Sequence, residues 1–521
     1  MDAALALATP IAASSVGTGL EKAGIIVAAV LAAVAVLARP ARTRALATAG
    51  ALVLTPALLL IEVWDTPQLH PLRNHPLYTA IGAVAALVAV GLVAWLFTRH
   101  PRLFPVLAVA AMPFRLPIET GGQTANLLVP LYFVIGAGAL AWLVPRLRRG
   151  FVDADARPRG RLEWALLGFI VLYAAQASYS LDFSKALDQV VFFYVPFALL
   201  FMQLCAVEWD RRLLGACFGV LVGLALVFAG IGFVEWATRE VLFNPKVIRT
   251  NEFASYFRVN SLFFDPNIYG RFLAVIALLT TAVMLWSRRR RDVLLCAGAL
   301  VVLLAALLTT LSQSSLAALL LGLAVLAALR WSVKWTLVVT VALAVMGAGV
   351  VLALPGVFKV DFSTKRLDRI STGRVTLVRG GGELFRDRPV GGWGSASFSE
   401  AFERQGKGSR DESVSASHTI PLTVAAEQGA LGILVYLALL ACALGRLFRG
   451  ARDSLPRAAI AAAFAALLLH TFLYASFLED LATWALLGVG TALGPVAARR
   501  MRPAERAQAT AQARARVPAP S

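Results

Sequence analysis

Long apolar runs broken by short basic joints dominate the chain. They lie at Gly24–Ala38, Ala45–Ile61, Tyr78–Leu96, Leu103–Phe114, Asn126–Val144, Leu162–Ala177, Leu187–Val207 and Leu213–Val234. They continue at Ile268–Trp286, Val293–Thr310, Ser314–Leu329, Trp335–Leu354, Ile420–Gly445, Ala458–Phe477 and Leu481–Ala498. Most are apolar all round and near the roughly 20 residues that span a bilayer, so each reads as a membrane helix. Leu103–Phe114 is short for that role. The expected fold class is an all-α polytopic membrane protein with about 14–15 transmembrane helices.

Composition sharpens this reading. Hydrophobic residues make up 59% of 521, about 307, and charged residues only 15%. Such an apolar excess excludes a soluble enzyme, a disordered protein and a single-anchor receptor. The formal net charge of +19 would suggest nucleic acid in a soluble chain. Here the basic residues fall between spans, so they point to topology and no nucleic-acid partner is expected. With the N-terminus placed outside, the cytoplasmic joints and the tail hold 29 of the 49 Lys and Arg residues. Every such joint carries at least one, which fits the positive-inside rule. Met1–Glu21 has no basic n-region, so no cleaved signal peptide is expected. The four cysteines form no CxxC pair, so neither structural zinc nor a disulfide framework is indicated.

The expected organisation is 1–161 for the N-terminal spans and 162–354 for a central bundle with an outer loop at 236–260. Residues 355–418 form a large outer loop domain, 419–498 the C-terminal spans, and 499–521 a disordered basic cytoplasmic tail. The long connection Pro355–Ser417 has 63 residues, with 11 basic and 8 acidic. Its length far exceeds an ordinary helix connection and suits a cover over a site.

Ionisable residues near membrane level on the outer side carry the chemistry. Arg249, Arg258, Asp265, Asn267 and Arg271 form one group. Asp265-Pro266 reads as an N-cap with proline at the first helical position, which aims free N–H groups outward as an anion site. Arg271 lies about 7–8 Å into that helix and faces either a partner carboxylate or a polar cavity. Arg374 and Arg379 in the long loop form a second group. They are followed by Gly391-Gly392-Trp393-Gly394, which reads as a turn, since no Lys-Ser/Thr follows it. His418 and Glu427, at the start of the Ile420–Gly445 run, form the third. His70, His75, His100 and His470 have no comparable setting. Asp153-Ala154-Asp155 has the spelling of a metal-binding DxD string, but it lies in an Arg-rich joint and is not expected to hold metal. Taken alone, these residues describe a cationic pocket for a lipid-linked phosphate or a similar anion.

Four stretches resemble the O-antigen ligase/polymerase superfamily of bacterial membrane glycosyltransferases. They are Arg258–Gly270 (RVNSLFFDPNIYG), Thr310–Ala317 (TLSQSSLA), Ser371–Phe398 with its PVGGWG turn, and His418–Gly432 (HTIPLTVAAEQGALG). Thr419 departs from the Asn that commonly follows the His, and Gln313 from an Arg that often follows the Ser. The resemblance implies a GT-C-type fold with its active site facing the periplasm of a bacterial inner membrane. It implies an undecaprenyl-pyrophosphate-linked glycan as donor, with lipid A–core or a glycan as acceptor, and transfer without metal, ATP or other cofactor. Arg258 and Arg374 would hold the pyrophosphate, beside Arg271, Arg249 and Arg379, and His418 would act as base. Glu427 would orient His418 or pair with an arginine, with Asp265 and Asn267 in support. Ligase and polymerase remain siblings on this reading, and a lipid-linked oligosaccharide flippase or polysaccharide transporter is the rival from another class. A transporter should show an internal repeat and mid-bilayer polar residues, and no clear repeat is present.

Overall fold

The computed structural model describes residues 18–63, 74–120, 123–148, 159–242, 251, 257–342, 374–406, 419–474 and 477–494. Arg249, His418, Asp153, Asp155, the 343–373 segment and the basic tail lie outside the described residues. Each of the fifteen apolar runs overlaps a helix, and among the described residues eleven helices are long and apolar enough to cross a membrane.

The chain forms α1 (Gly19–Leu37), α2 (Ala41–Val63), α3 (Pro76–Arg99), α4 (Leu103–Ala111), α5 (Val129–Arg148) and α6 (Arg161–Ala177). It continues with α7 (Phe183–Ala206), α8 (Arg211–Thr238), α9 (Pro266–Trp286), α10 (Arg290–Thr309), α11 (Gln313–Arg330) and α12 (Val333–Ala342). The last helices are α13 (Arg374–Asp387), α14 (Phe398–Arg404), α15 (Ile420–Phe448), α16 (Leu455–Leu473) and α17 (Leu481–Ala492).

At 9 residues, α4 is about 14 Å long and reaches only half-way across a hydrocarbon core of roughly 30 Å. An antiparallel hairpin comes next, β1 (Leu116–Thr120) on β2 (Gln123–Leu127), in register from Leu116 opposite Leu127 to Thr120 opposite Gln123. Among the described residues this hairpin is the one departure from an all-helical architecture. The paired strands satisfy each other's backbone groups, which an unpaired loop packed against a membrane bundle would leave unmet.

Two helices are largely buried and hold the bundle together. In α16 the run Ala458–Phe464 puts small side chains on several faces, so α9, α11 and α15 all pack closely against it. In α7, Pro196 has no N–H to give, and the turn before it widens to a π-helix over Gln189–Tyr194. There the Val195 N–H reaches back five residues to the Val190 carbonyl. By contrast α3 is exposed along most of its length, apolar throughout, and suited to lipid.

The polar residues gather at one end of the bundle. That end is formed by the α4–α5 turn, the α6–α7, α8–α9 and α10–α11 connections, the start of α15 and the α16–α17 connection. The loop helices α13 and α14 sit on it and pack against α15.

Candidate active site

The Asp265-Pro266 start of α9 forms as expected: Asp265 Oδ1 accepts from the Asn267 and Ile268 amides at 2.6 and 3.3 Å, with Pro266 first in the helix. Ser312 caps α11 in the same way, after Leu311 in the left-handed region (φ 51°). Two helix N-termini therefore point at one place, and their unpaired amides give it a positive potential.

Arg258 lies across both starts. Its Nε donates to the Thr310 carbonyl (3.0 Å) and its Nη2 to Asn267 Oδ1 (3.0 Å), which uses two of five donors. Asn251 brackets its backbone, accepting from the Arg258 amide (3.1 Å) and donating to its carbonyl (3.0 Å). Ser312 Oγ donates to the same Asn267 Oδ1 (2.9 Å) and lies 2.8 Å from Ser315 Oγ. Both Ser314 and Ser315 hydroxyls lie 3.2 Å from His470 Nε2. A hydrogen-bonded chain thus runs from His470 on α16, through α11, to Arg258. Gly270 permits it, since a Cβ there would sit 2.8 Å from Ser315 Oγ.

Deeper on α9, Arg271 faces Asp480 at 3.4 Å, with both side chains under one-tenth exposed. Arg271 therefore has a partner carboxylate, one of the two settings expected for it. Asp480 also caps α17 through the Ala482 amide. Arg115, half-buried beyond the end of α4, feels both Asp480 and Arg271; burial lowers its pKa, Asp480 opposes the change, and Arg271 lowers it further. Tyr474 shares this pocket, and burial beside Asp265 raises its pKa. Arg271 and Arg115 are balanced by Asp480 and Glu479, whereas the side-chain bonds of Arg258 run to neutral oxygens, which leaves its charge for an anion at the two helix starts.

The third group serves another purpose. Glu427 Oε2 accepts from the Ala396 amide (3.0 Å) and Oε1 from the Phe398 amide (3.1 Å). Here the two glycine motifs meet. Trp393 and Gly394 amides donate to the Ala426 and Glu427 carbonyls (3.1 and 2.8 Å), and Ala430 to Pro389 (2.7 Å). Helix α15 breaks at Gly429 (φ 67°) to allow this. A Cβ on Gly392 would lie 2.2 Å from the Glu427 carbonyl oxygen, and one on Gly429 2.3 Å from that of Val390. Both positions need glycine for conformation and for space. Ser180 completes the dock, bonding the Ser395 carbonyl (2.6 Å) and lying 2.9 Å from Ser397 Oγ.

Of the residues expected from sequence, Arg258, Asp265 and Asn267 meet in one place and Arg271 lies below them. Glu427 binds backbone amides of the loop, and His418, the partner expected for it, lies outside the described residues. Arg379 is exposed and pairs with Glu383 one turn on (3.4 Å). Arg374 begins α13, and its side chain, like Arg249 and His418, lies outside the described residues. Thr419, the residue after His418, hydrogen-bonds the Phe472 carbonyl (3.2 Å), which ties the start of α15 to the end of α16. Sequence reasoning misses His470, Asp480, Arg115 and the serines' role in holding Asn267. The setting of His470 is the opposite of that expected: it is fully buried and central to the network. A signal is available, because His470 and Asp480 flank a short connection at the same end as Asp265.

Beside this pocket lies a cavity of about 90 Å³, lined by α6, α7, α15 and the α16–α17 connection.

Residues 298–437 match the family model described as O-antigen ligase, and no curated protein matches the chain. The stretch that carries the Ser-rich helix start, the docked loop and the break in α15 is thus similar to the O-antigen ligase family, within the superfamily that the motifs resemble.

Proposed function

We propose that the protein transfers a glycan from a lipid pyrophosphate to an acceptor hydroxyl at the outer face of a bacterial inner membrane, as an O-antigen ligase. A polymerase of the same superfamily would run the same chemistry on a different acceptor. The observation that carries the reading is Arg258 fixed between two helix N-termini. A guanidinium there, with Arg271 and Arg115 behind it, is a site for a phosphate-bearing group whose negative charge grows as a bond breaks.

In the proposed reaction the acceptor oxygen bonds to the anomeric carbon as the carbon–oxygen bond to pyrophosphate breaks. The electron pair leaves with the pyrophosphate, which Arg258 and Arg374 neutralise. The acceptor's proton passes to His418 as general base. Undecaprenyl pyrophosphate is the donor lipid on this reading, and lipid A–core or a growing glycan is the acceptor. The basic joints support the orientation, since they lie at the opposite end of the bundle from Arg258.

Reconstitution in liposomes with a lipid-pyrophosphate glycan and two acceptors, a repeat unit and lipid A–core, tests this. Transfer to lipid A–core supports a ligase, and chain growth supports a polymerase. Movement of labelled lipid across the bilayer without sugar transfer would show a flippase instead. Unchanged transfer by both Arg258→Ala and His418→Ala would remove the mechanism.

A further inference from the structure

The cavity beside the arginine pocket has a lining of another kind. Its walls carry Glu427, Glu479, Gln189, Gln428 and the rings of Tyr173, Tyr194 and Tyr436. Gln428 and Tyr436 are fully buried, yet Gln428 Oε1 and the Tyr436 hydroxyl have no partner among the described residues. A buried polar atom without a partner is costly, and both residues belong to the lining of this one cavity. Tyr173 and Tyr194 hydroxyls both bond Gln189 Oε1, the Tyr194 bond at 3.4 Å, which fixes the far wall.

The lining selects a class of ligand. Two carboxylates repel an anion, so the pyrophosphate belongs at the arginines and not here. Acceptor oxygens dominate, which suits a molecule rich in hydroxyl donors. The mix of ring faces and a few fixed polar atoms is the usual make-up of a small-molecule site. A void of about 90 Å³ has room for a small cluster of waters, which limits an occupant to no more than one sugar ring. Its position joins it to the other pocket: consecutive residues divide the two zones, with Asp480 on Arg271 and Glu479 in the cavity wall.

We propose that this cavity binds one sugar ring of the glycan substrate, held through hydroxyls by Tyr436, Gln428 and Glu479. The assignment rests on the glycan-transfer reading for its context and names where the carbohydrate portion sits. The ring comes from either the donor or the acceptor, which share this chemistry.

The variant Tyr436→Phe removes only the unpartnered hydroxyl, and Thr423→Met fills the cavity from another wall. Transfer kinetics are measured for full-length protein in liposomes with a lipid-pyrophosphate glycan and a glycan acceptor. The expected result is a KM raised about three- to tenfold for one substrate, with kcat nearly unchanged. A rise for the acceptor alone places the acceptor's sugar in the cavity, and a rise for the donor alone places the donor's. Both KM values unchanged in an active enzyme, for both variants, would leave only water there and overturn the proposal. A second readout needs no transfer: the protection of purified protein against heat by glucose, galactose or N-acetylglucosamine. Protection of the wild type that Tyr436→Phe and Thr423→Met lose supports the site even if no glycan is transferred, in which case the transfer reading alone fails. Absence of both protection and any KM change defeats the site.

Discussion

Glu427 offers the sharpest test of how the loop is held. Its two carboxylate oxygens each accept one buried backbone amide, from Ala396 and Phe398. Ala396 also sits in the left-handed region (φ 64°), a strained conformation that this bond helps retain. Truncation to Ala leaves two buried N–H groups unmet, at about 1–3 kcal/mol each, so about 2–6 kcal/mol in total. Glu427→Gln keeps one oxygen as acceptor and turns an NH2 group toward the other amide, so about half that loss is expected. The backbone bonds from Trp393, Gly394 and Ala430 remain in both variants, so the loop should loosen without leaving. Thermal unfolding in detergent reads the stability, and limited trypsin digestion at Arg386 and Arg404 reads the loosening. Faster cleavage in the order wild type, Gln, Ala is expected. An Ala variant within about 0.5 kcal/mol of wild type and with unchanged cleavage would refute the anchoring role.

Four more outcomes are expected from the same geometry. Asp480→Asn leaves Arg271 and Arg115 as like charges in a buried pocket and should cost about 3–5 kcal/mol, whereas Arg271→Met with Asp480→Leu should cost much less; equal unfolding midpoints for single and double variants would count against it. Gly429→Ala drives a Cβ onto the Val390 carbonyl, so it should destabilise by more than about 1 kcal/mol, and an unchanged midpoint would show that the dock can shift. His470→Ala should lower glycan transfer about tenfold by releasing Ser312, Asn267 and Arg258, and Gln should restore part of it by replacing the Nε2 contact; no rescue would leave His470 a packing residue. Burial raises the pKa of Glu479 against Lys185, Arg271 and Arg115, which pull it down. The folded state then holds that proton more tightly, so stability is greatest below the ordinary value of about 4.3 and falls as pH rises through the raised value. Glu479→Gln should flatten the midpoint over that window, and an unchanged slope would exclude Glu479 as the source.

Sequence patterning locates the helices well because a bilayer span must be long, apolar and internally bonded, which leaves a signal that local packing does not alter. It fails at α4 for a physical reason. Nine apolar residues look like part of a span, but the next element is a hairpin, whose strand pairing depends on contacts that a hydropathy run does not record. The π turn in α7 is half legible: Pro196 announces a disturbance, though only the structure shows the ladder widening rather than breaking.

The site is legible where a residue's role is local and hidden where it is shared. Asp265 caps the helix it begins, so its chemistry can be read from Asp-Pro alone. Glu427 and Gly392 are 35 positions apart, and each looks like half of a different motif. Their meaning is the single surface they make together, in which one strip of backbone lies on another too closely for any Cβ. His470 escapes notice because its neighbours in sequence are apolar, as those of any buried helical residue must be. What marks it is Ser314 and Ser315, more than 150 positions earlier. In a bundle of alternating helices such pairs can be sought by depth. Residues at the same end of successive spans are the ones that can touch, whatever their separation in sequence. Sorted that way, Arg115, Asp265, Ser312, Glu427, His470 and Asp480 fall into one layer, and the connections that hold four of them weigh as much as the long loop.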